Sequence, residues 1–346
     1  MNSTDAYYDA LFDNLFKYLY RYVIPVCYIA GNVGSLISGY IFSTKAWRRN
    51  VCVFYFNTCL VINLAALNCY MLPTILINGY DIELYNSNII FCKLYYYTTF
   101  LFCALSPTML ILASIDRLLI SSQNVNLRLY SSKRLAYFSV SLTTVFCIIY
   151  FLHILIKPEI VSVAPSVTAC TLSTDYGYLL FFAYSSLLVT SFFCVNMIVL
   201  SILSIKNVRI IRAAPRQQKR QQLRTMNKKD FQLLRCLFAH DIIFIACNIF
   251  LNLYYVYLVV RLYGSMSSLE RIFSSFLNIF LTMFQQLSFC ASFFIFVTVS
   301  KAFRHELRRT VYKMIRKNSV IMREEEQIER INVEINIFNE NGQRAQ

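Results

Sequence analysis

The sequence predicts an all-α membrane protein: a bundle of seven transmembrane helices with its N-terminus outside, followed by a short amphipathic surface helix. Three observations carry this expectation. Only 15% of the 346 residues are charged and 57% are hydrophobic, whereas a soluble domain carries ~25% charge. The apolar residues are grouped into seven runs, near 22–43, 52–77, 92–119, 135–156, 177–205, 231–260 and 272–300. Each exceeds the ~20 helical residues that cross a bilayer core. The basic residues collect on one side of these runs. All but six of the 33 Lys and Arg fall there, the six being Lys17, Arg21, Lys93, Lys157, Arg261 and Arg271. The positive-inside rule makes the basic side cytoplasmic. An odd number of spans then puts the N-terminus outside and the C-terminus inside.

Each element has its own signature. Residues 1–21 are acidic and lack both a basic leading region and a cleavage site, so they read as an extracellular N-terminus and the first span must direct insertion. Asn2-Ser3-Thr4 is a glycosylation triplet, which makes Asn2 a candidate acceptor. Residues 22–300 hold the seven spans. Pro107, inside the third, removes a backbone hydrogen bond and is expected to kink that helix. The stretch 206–235 holds ten Lys or Arg against one acid, Asp230. It suits a solvated face near anionic lipid, a helix extension that meets a cytoplasmic partner, or both. In 301–318, Phe303, Leu307, Val311 and Ile315 recur at near-helical spacing among Arg and Lys, the pattern of a helix lying on the inner leaflet. Residues 319–346 are charged and read as a mobile cytoplasmic tail.

The net charge of +15 follows from this sidedness, so no nucleic-acid partner is expected; membrane lipids are. Most of the 12 Cys lie in apolar runs, where they act as small hydrophobes. No Cys or His spacing suggests zinc. Three His are too few and too scattered for a His-rich metal site, and no nucleophile–base spacing stands out. No enzyme, metal or cofactor is expected. Only 7 Gly and no internal repeat argue against a transporter.

Two outer cysteines, Cys92 and Cys170, can pair in an oxidising compartment. Cys92 and Arg117 are 25 residues apart, ~37 Å on a helix, so they mark the two ends of the third span. A charged Arg in lipid costs roughly 3 kcal/mol or more, so Arg117 needs a partner. Asp116 is adjacent but ~100° away around the helix; Asp230 is the second candidate. The outer part of the third span offers Tyr96, Thr99, Phe100 and Cys103. With Asn248 in the sixth, they are candidates to line a ligand pocket. His240 and Asp241 lie inside the sixth run. An acid there is a functional hypothesis by default, with a buried interhelical hydrogen bond as the simpler reading.

Together these features resemble the rhodopsin-like G-protein-coupled receptors over roughly 22–317. The spacing from Cys92 to Asp116-Arg117-Leu118 is similar to that family's outer Cys and Asp-Arg-Tyr triplet. Gly31-Asn32 resembles its first-helix pair. Asn63-Leu64-Ala65-Ala66-Leu67-Asn68 resembles Asn-Leu-Ala-x-Ala-Asp, with Asn68 where the acid stands and Ser106 facing it. Phe303-Arg304 resembles the start of its eighth helix. Departures are equally plain. Ser292-Phe293-Phe294-Ile295-Phe296 falls where Asn-Pro-x-x-Tyr is expected. Phe244 matches a core Phe, but Asn248 and Phe250 replace the usual Trp and Pro. The only Trp is Trp47. The texture resembles divergent invertebrate orphan receptors near the neuropeptide group.

The resemblance implies a multi-pass plasma-membrane receptor. It passes binding of an extracellular ligand to a heterotrimeric G protein, through Asp116, Arg117 and Asp230 at the inner end. Asn32, Asn68, Ser106 and Ser292 would form a polar bundle core, with weak sodium regulation because Asn68 lacks a charge. Thr99 stands where amine receptors carry an acid, so a peptide is favoured over a biogenic amine, and an apolar small molecule also fits. Only Thr310 and Ser319 bear hydroxyls in the tail apart from Tyr312, and no Cys follows Cys290; little tail phosphorylation and no palmitoylation follow. The alternative is a seven-helix protein that binds ligand but has lost coupling.

Overall fold

The computed structural model describes residues 3–45, 47–82, 84–122, 124–164, 167–213, 228–261, 267–313 and 315. The glycosylation candidate Asn2, most of the basic stretch before Asp230 and the tail 319–346 lie outside the described residues.

The described residues are almost wholly helical. Helix α1 (Ser3–Tyr18) runs through a π turn (Leu19–Val23) into α2 (Ile24–Ser43). Helix α3 (Val51–Ala66) runs through a second π turn (Leu67–Met71) into α4 (Leu72–Tyr80). Then come α5 (Ile89–Ser121), the short α6 (Val125–Leu129), α7 (Lys133–Tyr150) and α8 (Leu152–Ile156). A two-stranded hairpin, β1 (Glu159–Ala164) and β2 (Val167–Thr171), precedes α9 (Tyr176–Ala213), α10 (Lys228–Arg261) and α11 (Ser268–Val299).

Among the described residues, six helical stretches are long and apolar enough to cross a membrane: Asp5–Ser43, Val51–Tyr80, Ile89–Ser121, Tyr176–Asn207, Lys229–Leu258 and Ser268–Val299. The fourth apolar run behaves differently. Its helix α7 starts on Lys133-Arg134 and stops at Phe151, whose ψ of 0 ends the regular spiral before α8 resumes.

The two π turns share a cause. Each contains the residue four before a proline: Arg21 precedes Pro25, and Cys69 precedes Pro73. Proline donates no hydrogen bond and its ring pushes away that carbonyl. The preceding turn widens to compensate. Pro107 has no such effect on α5, which stays helical from Ile89 to Ser121.

Residues 3–21, expected as a plain terminus, are helical instead. Phe16 is 5% exposed, and the rings of Phe12 and Phe16 pack on Phe276 of α11 at 4.3 and 5.0 Å. Lys17 pairs with Asp81 at 2.5 Å.

Helix α5 is the hub, touching α3, α7, α9 and α10, while α11 packs between α2 and α10. The approach of α2 to α11 depends on two glycines. A Cβ on Gly34 would sit 2.6 Å from the Phe293 Cβ, and one on Gly31 would sit 2.9 Å from the Cys290 Sγ. Helices α2, α7 and α9 present outward apolar stripes, such as Val26, Ile29, Val33 and Leu36 on α2. Exposed stripes at helical spacing suit a lipid surrounding. Residues from Lys301 form a separate unit. It holds a helix, α12 (301–313), whose Arg309 faces Glu306 one turn back.

Candidate functional site

Three groups of residues lie along α5, and together they make the candidate site. The first is at its C-terminal end. Arg117 is 1% exposed, yet each of its three guanidinium nitrogens donates a hydrogen bond. Nη2 and Nε donate to Asp116 Oδ2 at 2.5 and 3.1 Å. Nη1 donates to Asp230 Oδ1 at 2.7 Å, and Nη2 also donates to Asn50 Oδ1 at 3.1 Å. Asn50 Nδ2 donates to the same Asp230 oxygen at 2.6 Å. Asp116 Oδ1 accepts from Ser131 Oγ at 2.5 Å.

The 100° offset between neighbouring helix positions therefore does not separate Asp116 from Arg117: the long Arg side chain folds back onto its neighbour. Both carboxylates are buried as well, the Asp116 side chain 4% and the Asp230 side chain 7% exposed. Such a cluster holds only while every member stays paired, because an uncompensated buried charge is costly. It ties α5 to the first turn of α10 and to the loop before α3. Asn50 and Ser131 were not legible as partners. Asn50 does carry a local signal, since it caps α3 by accepting from the Cys52 N–H at 3.0 Å. Ser131, in the turn between α6 and α7, carries none.

The second group lies midway. Ser106, expected in the polar core, donates to Asn63 Oδ1 at 2.8 Å. Asn63 Nδ2 donates to Ser292 Oγ at 3.1 Å. Ser292 lies 3.2 Å from His240 Nε2, and His240 Nδ1 lies 2.8 Å from the Cys236 carbonyl. The carbonyl can only accept, so Nδ1 carries the proton and Nε2 accepts from the Ser292 hydroxyl. Donors and acceptors then alternate through four helices, α5, α3, α11 and α10, with no charge involved.

This corrects the placing of Asn68. It is exposed on the outside of the bundle, where it donates to Asn32 Oδ1 at 3.0 Å and accepts from Tyr28 OH at 2.7 Å. Five residues of helix set Asn63 and Asn68 about 140° apart, so they cannot share a face, and Asn63, 2% exposed, faces Ser106 instead. Asn32, partly buried midway along α2, donates to the Tyr28 carbonyl at 3.0 Å. His240, which had no assigned role, belongs to this chain. Asp241 points the other way and accepts from Ser201 of α9 at 3.0 Å, an interhelical hydrogen bond.

The third group surrounds a cavity of about 260 Å³ toward the N-terminal end of α5. All five expected lining residues, Tyr96, Thr99, Phe100, Cys103 and Asn248, line it. Cys92 and Cys170 form a disulfide, with Cα atoms 5.8 Å apart, that ties β2 to α5. Tyr96 OH donates to the Cys170 carbonyl at 3.3 Å and Asn86 Oδ1 accepts from the Cys170 N–H at 3.1 Å, so the hairpin is held at this end of the bundle. The hairpin went unforeseen because six- and five-residue strands are too short to show against the apolar runs around them. Asn248 Oδ1 accepts from Gln285 Nε2 at 2.8 Å, and Asn252 Oδ1 accepts from Ser186 Oγ at 2.9 Å. These bonds link α9, α10 and α11 along the cavity wall. Eighteen residues separate Thr99 from Arg117 on one uninterrupted helix, about 27 Å.

No protein-family model matches this chain, and no curated protein matches it significantly.

Proposed function

We propose that this chain is a receptor resembling the rhodopsin-like G-protein-coupled family, seated in the plasma membrane with its hairpin outside. Its Arg117 end would face the cytoplasm and a heterotrimeric G protein. The broken helix α7–α8 counts as the fourth of seven spans, because Phe138, Leu142, Val145 and Ile149 give it an exposed apolar stripe. The distribution of Lys and Arg sets the orientation.

The observation that carries this reading is the buried set of bonds from Arg117 to Asp116, Asp230 and Asn50. A charge cluster joining α5 to α10 at one end, with a cavity about 27 Å away on the same helix, suits a two-state bundle. Ligand at the cavity favours the state in which α10 has swung away, Arg117 is released, and a G protein can dock. The Ser106–Asn63–Ser292–His240 chain lies between the two sites and joins the same helices. It fills the place of the absent switch residues.

The test is guanine-nucleotide exchange on a panel of purified heterotrimeric G proteins, mixed with membranes holding the full chain. Exchange above that of empty membranes, abolished by Arg117→Ala at equal protein level, is expected for one G-protein class. No exchange with any class, with or without the mutation, would overturn the coupling half of the proposal. A second reading, a binding protein that has lost coupling, is favoured by the same cluster: Asn50 adds restraint beyond the two acids. That reading predicts ligand binding with no exchange.

A further inference from the structure

Helix α1 has two apolar sides, and its own bundle covers only one of them. Phe12 and Phe16 pack on Phe276 of α11, and Lys17 pairs with Asp81. On the other side Tyr7, Tyr8, Leu11, Leu15 and Tyr18 are 38–65% exposed. At 100° per residue these five share an arc of about 100°. The order Tyr8, Leu11, Leu15, Tyr18, Tyr22 advances by three, four, three and four residues, the spacing of a coiled-coil seam. The helix cannot turn this stripe onto its own bundle while Phe12 and Phe16 hold it there by the other side.

Lipid accounts for the outward stripe of α2 but not for this one. About 20 helical residues cross a bilayer core, so a span that ends at Ser43 leaves lipid near Val23. Arg21, which donates to the Gly79 carbonyl, and the Lys17–Asp81 pair mark that boundary. Asp5 to Ser43 form one continuous helical stretch. Leu15, Leu11 and Tyr8 therefore stand about 12–22 Å beyond the hydrocarbon, in water. A run of exposed apolar side chains there marks an interaction surface.

Its geometry and charge select a second copy of the chain as the occupant. A membrane gives every copy the same orientation, so two copies align α1 in parallel, like against like. In that arrangement a three-four spacing meets itself in register, each seam residue beside its own counterpart. Asp5, Asp9 and Asp13 recur every four residues on the far side of the helix from the stripe. Pairing at the stripe thus brings no acid against acid. Val26, Ile29, Val33 and Leu36 carry the exposed row on along α2, so contact made in water continues down the first span. We infer that the chain forms a parallel two-fold dimer through the outward stripe of α1, with each α2 beside its copy in the membrane. Such pairing needs only that the chain span a membrane, and holds for a coupled or an uncoupled receptor alike.

The experiment uses the full chain in cell membranes. Leu11→Cys and Leu15→Cys each put a thiol on the seam, and Asp9→Cys puts one on the far side. Mild oxidation should link either seam variant into a covalent dimer on non-reducing gels, at least tenfold more than Asp9→Cys or wild type. Leu11→Glu combined with Leu15→Glu sets like charges against each other across the seam. Single-molecule bleaching of chains carrying one fluorophore each, at matched low density, should show two steps for wild type and one for this double variant. Both leucines are exposed, so its melting temperature in nanodiscs holding one copy should equal that of wild type, which separates lost pairing from lost folding. One-step bleaching of wild type would overturn the inference. So would equal linking through Asp9→Cys, or two-step bleaching that survives both glutamates.

Discussion

Replacing Asp230 by Ala removes one carboxylate from a cluster whose members depend on one another. Asp230 Oδ1 accepts from Arg117 Nη1 at 2.7 Å and from Asn50 Nδ2 at 2.6 Å. Breaking a buried pair can cost 3–5 kcal/mol when it strands a charge. Here Arg117 keeps Asp116 and Asn50, so the loss is nearer that of one charged hydrogen bond, ~2 kcal/mol. That loss falls on the closed state alone, since opening would already separate α10 from Arg117. A ~2 kcal/mol change moves the closed-to-open ratio about 30-fold. If about 1% of the protein is open at rest, the open fraction rises to roughly 20%. Basal nucleotide exchange on the responsive G protein, at matched surface density, should then rise about 20-fold. Asp230→Asn keeps an acceptor and loses only the charge, so its effect should lie between wild type and Asp230→Ala. Unchanged basal exchange in Asp230→Ala, with Arg117→Ala still silent, would refute the closed-state role of Asp230.

Three further perturbations follow from the structure. Gly34→Leu should destabilise the bundle by about 1–3 kcal/mol, because a Cβ there already meets Phe293 at 2.6 Å; a lower melting temperature in nanodiscs checks it. Asp241→Asn should raise melting, because Oδ1 of Asp241 is buried without a partner while the bond from Ser201 survives the change. Hydrogen bonds from the Thr174 hydroxyl and amide hold the Glu159 carboxyl below its ordinary 4.5. The folded value is lowered, so this contribution to hairpin order is present above the ordinary value and lost as pH falls through the lowered one. Hydrogen exchange at the Thr174 amide, corrected for its intrinsic rate, should lose protection on acidification in wild type and show no such step in Glu159→Gln.

Much of the architecture could be read before folding. A run of apolar residues longer than a bilayer core must be helical, because its peptide groups have no other partners in lipid. That constraint is local, so the places of the apolar runs were legible. Cys92, Thr99 and Arg117 were legible as the two ends of α5 for the same reason: rise per residue converts sequence distance directly into length. The partners of Arg117 were half legible, since an acid at the head of the sixth run is visible, whereas Asn50 and Ser131 reach the cluster only through loop geometry.

Three things were decided by the tertiary structure alone. Asn63 and Asn68 lie about 140° apart around one helix, so only one of them can meet Ser106, and packing gives that place to Asn63. His240 joins Ser292 from another helix, 52 residues away. The cavity's uncharged lining, among the described residues, is a property of a space between helices. Composition and period are written within one segment. Which polar atoms are left without partners depends on how segments meet.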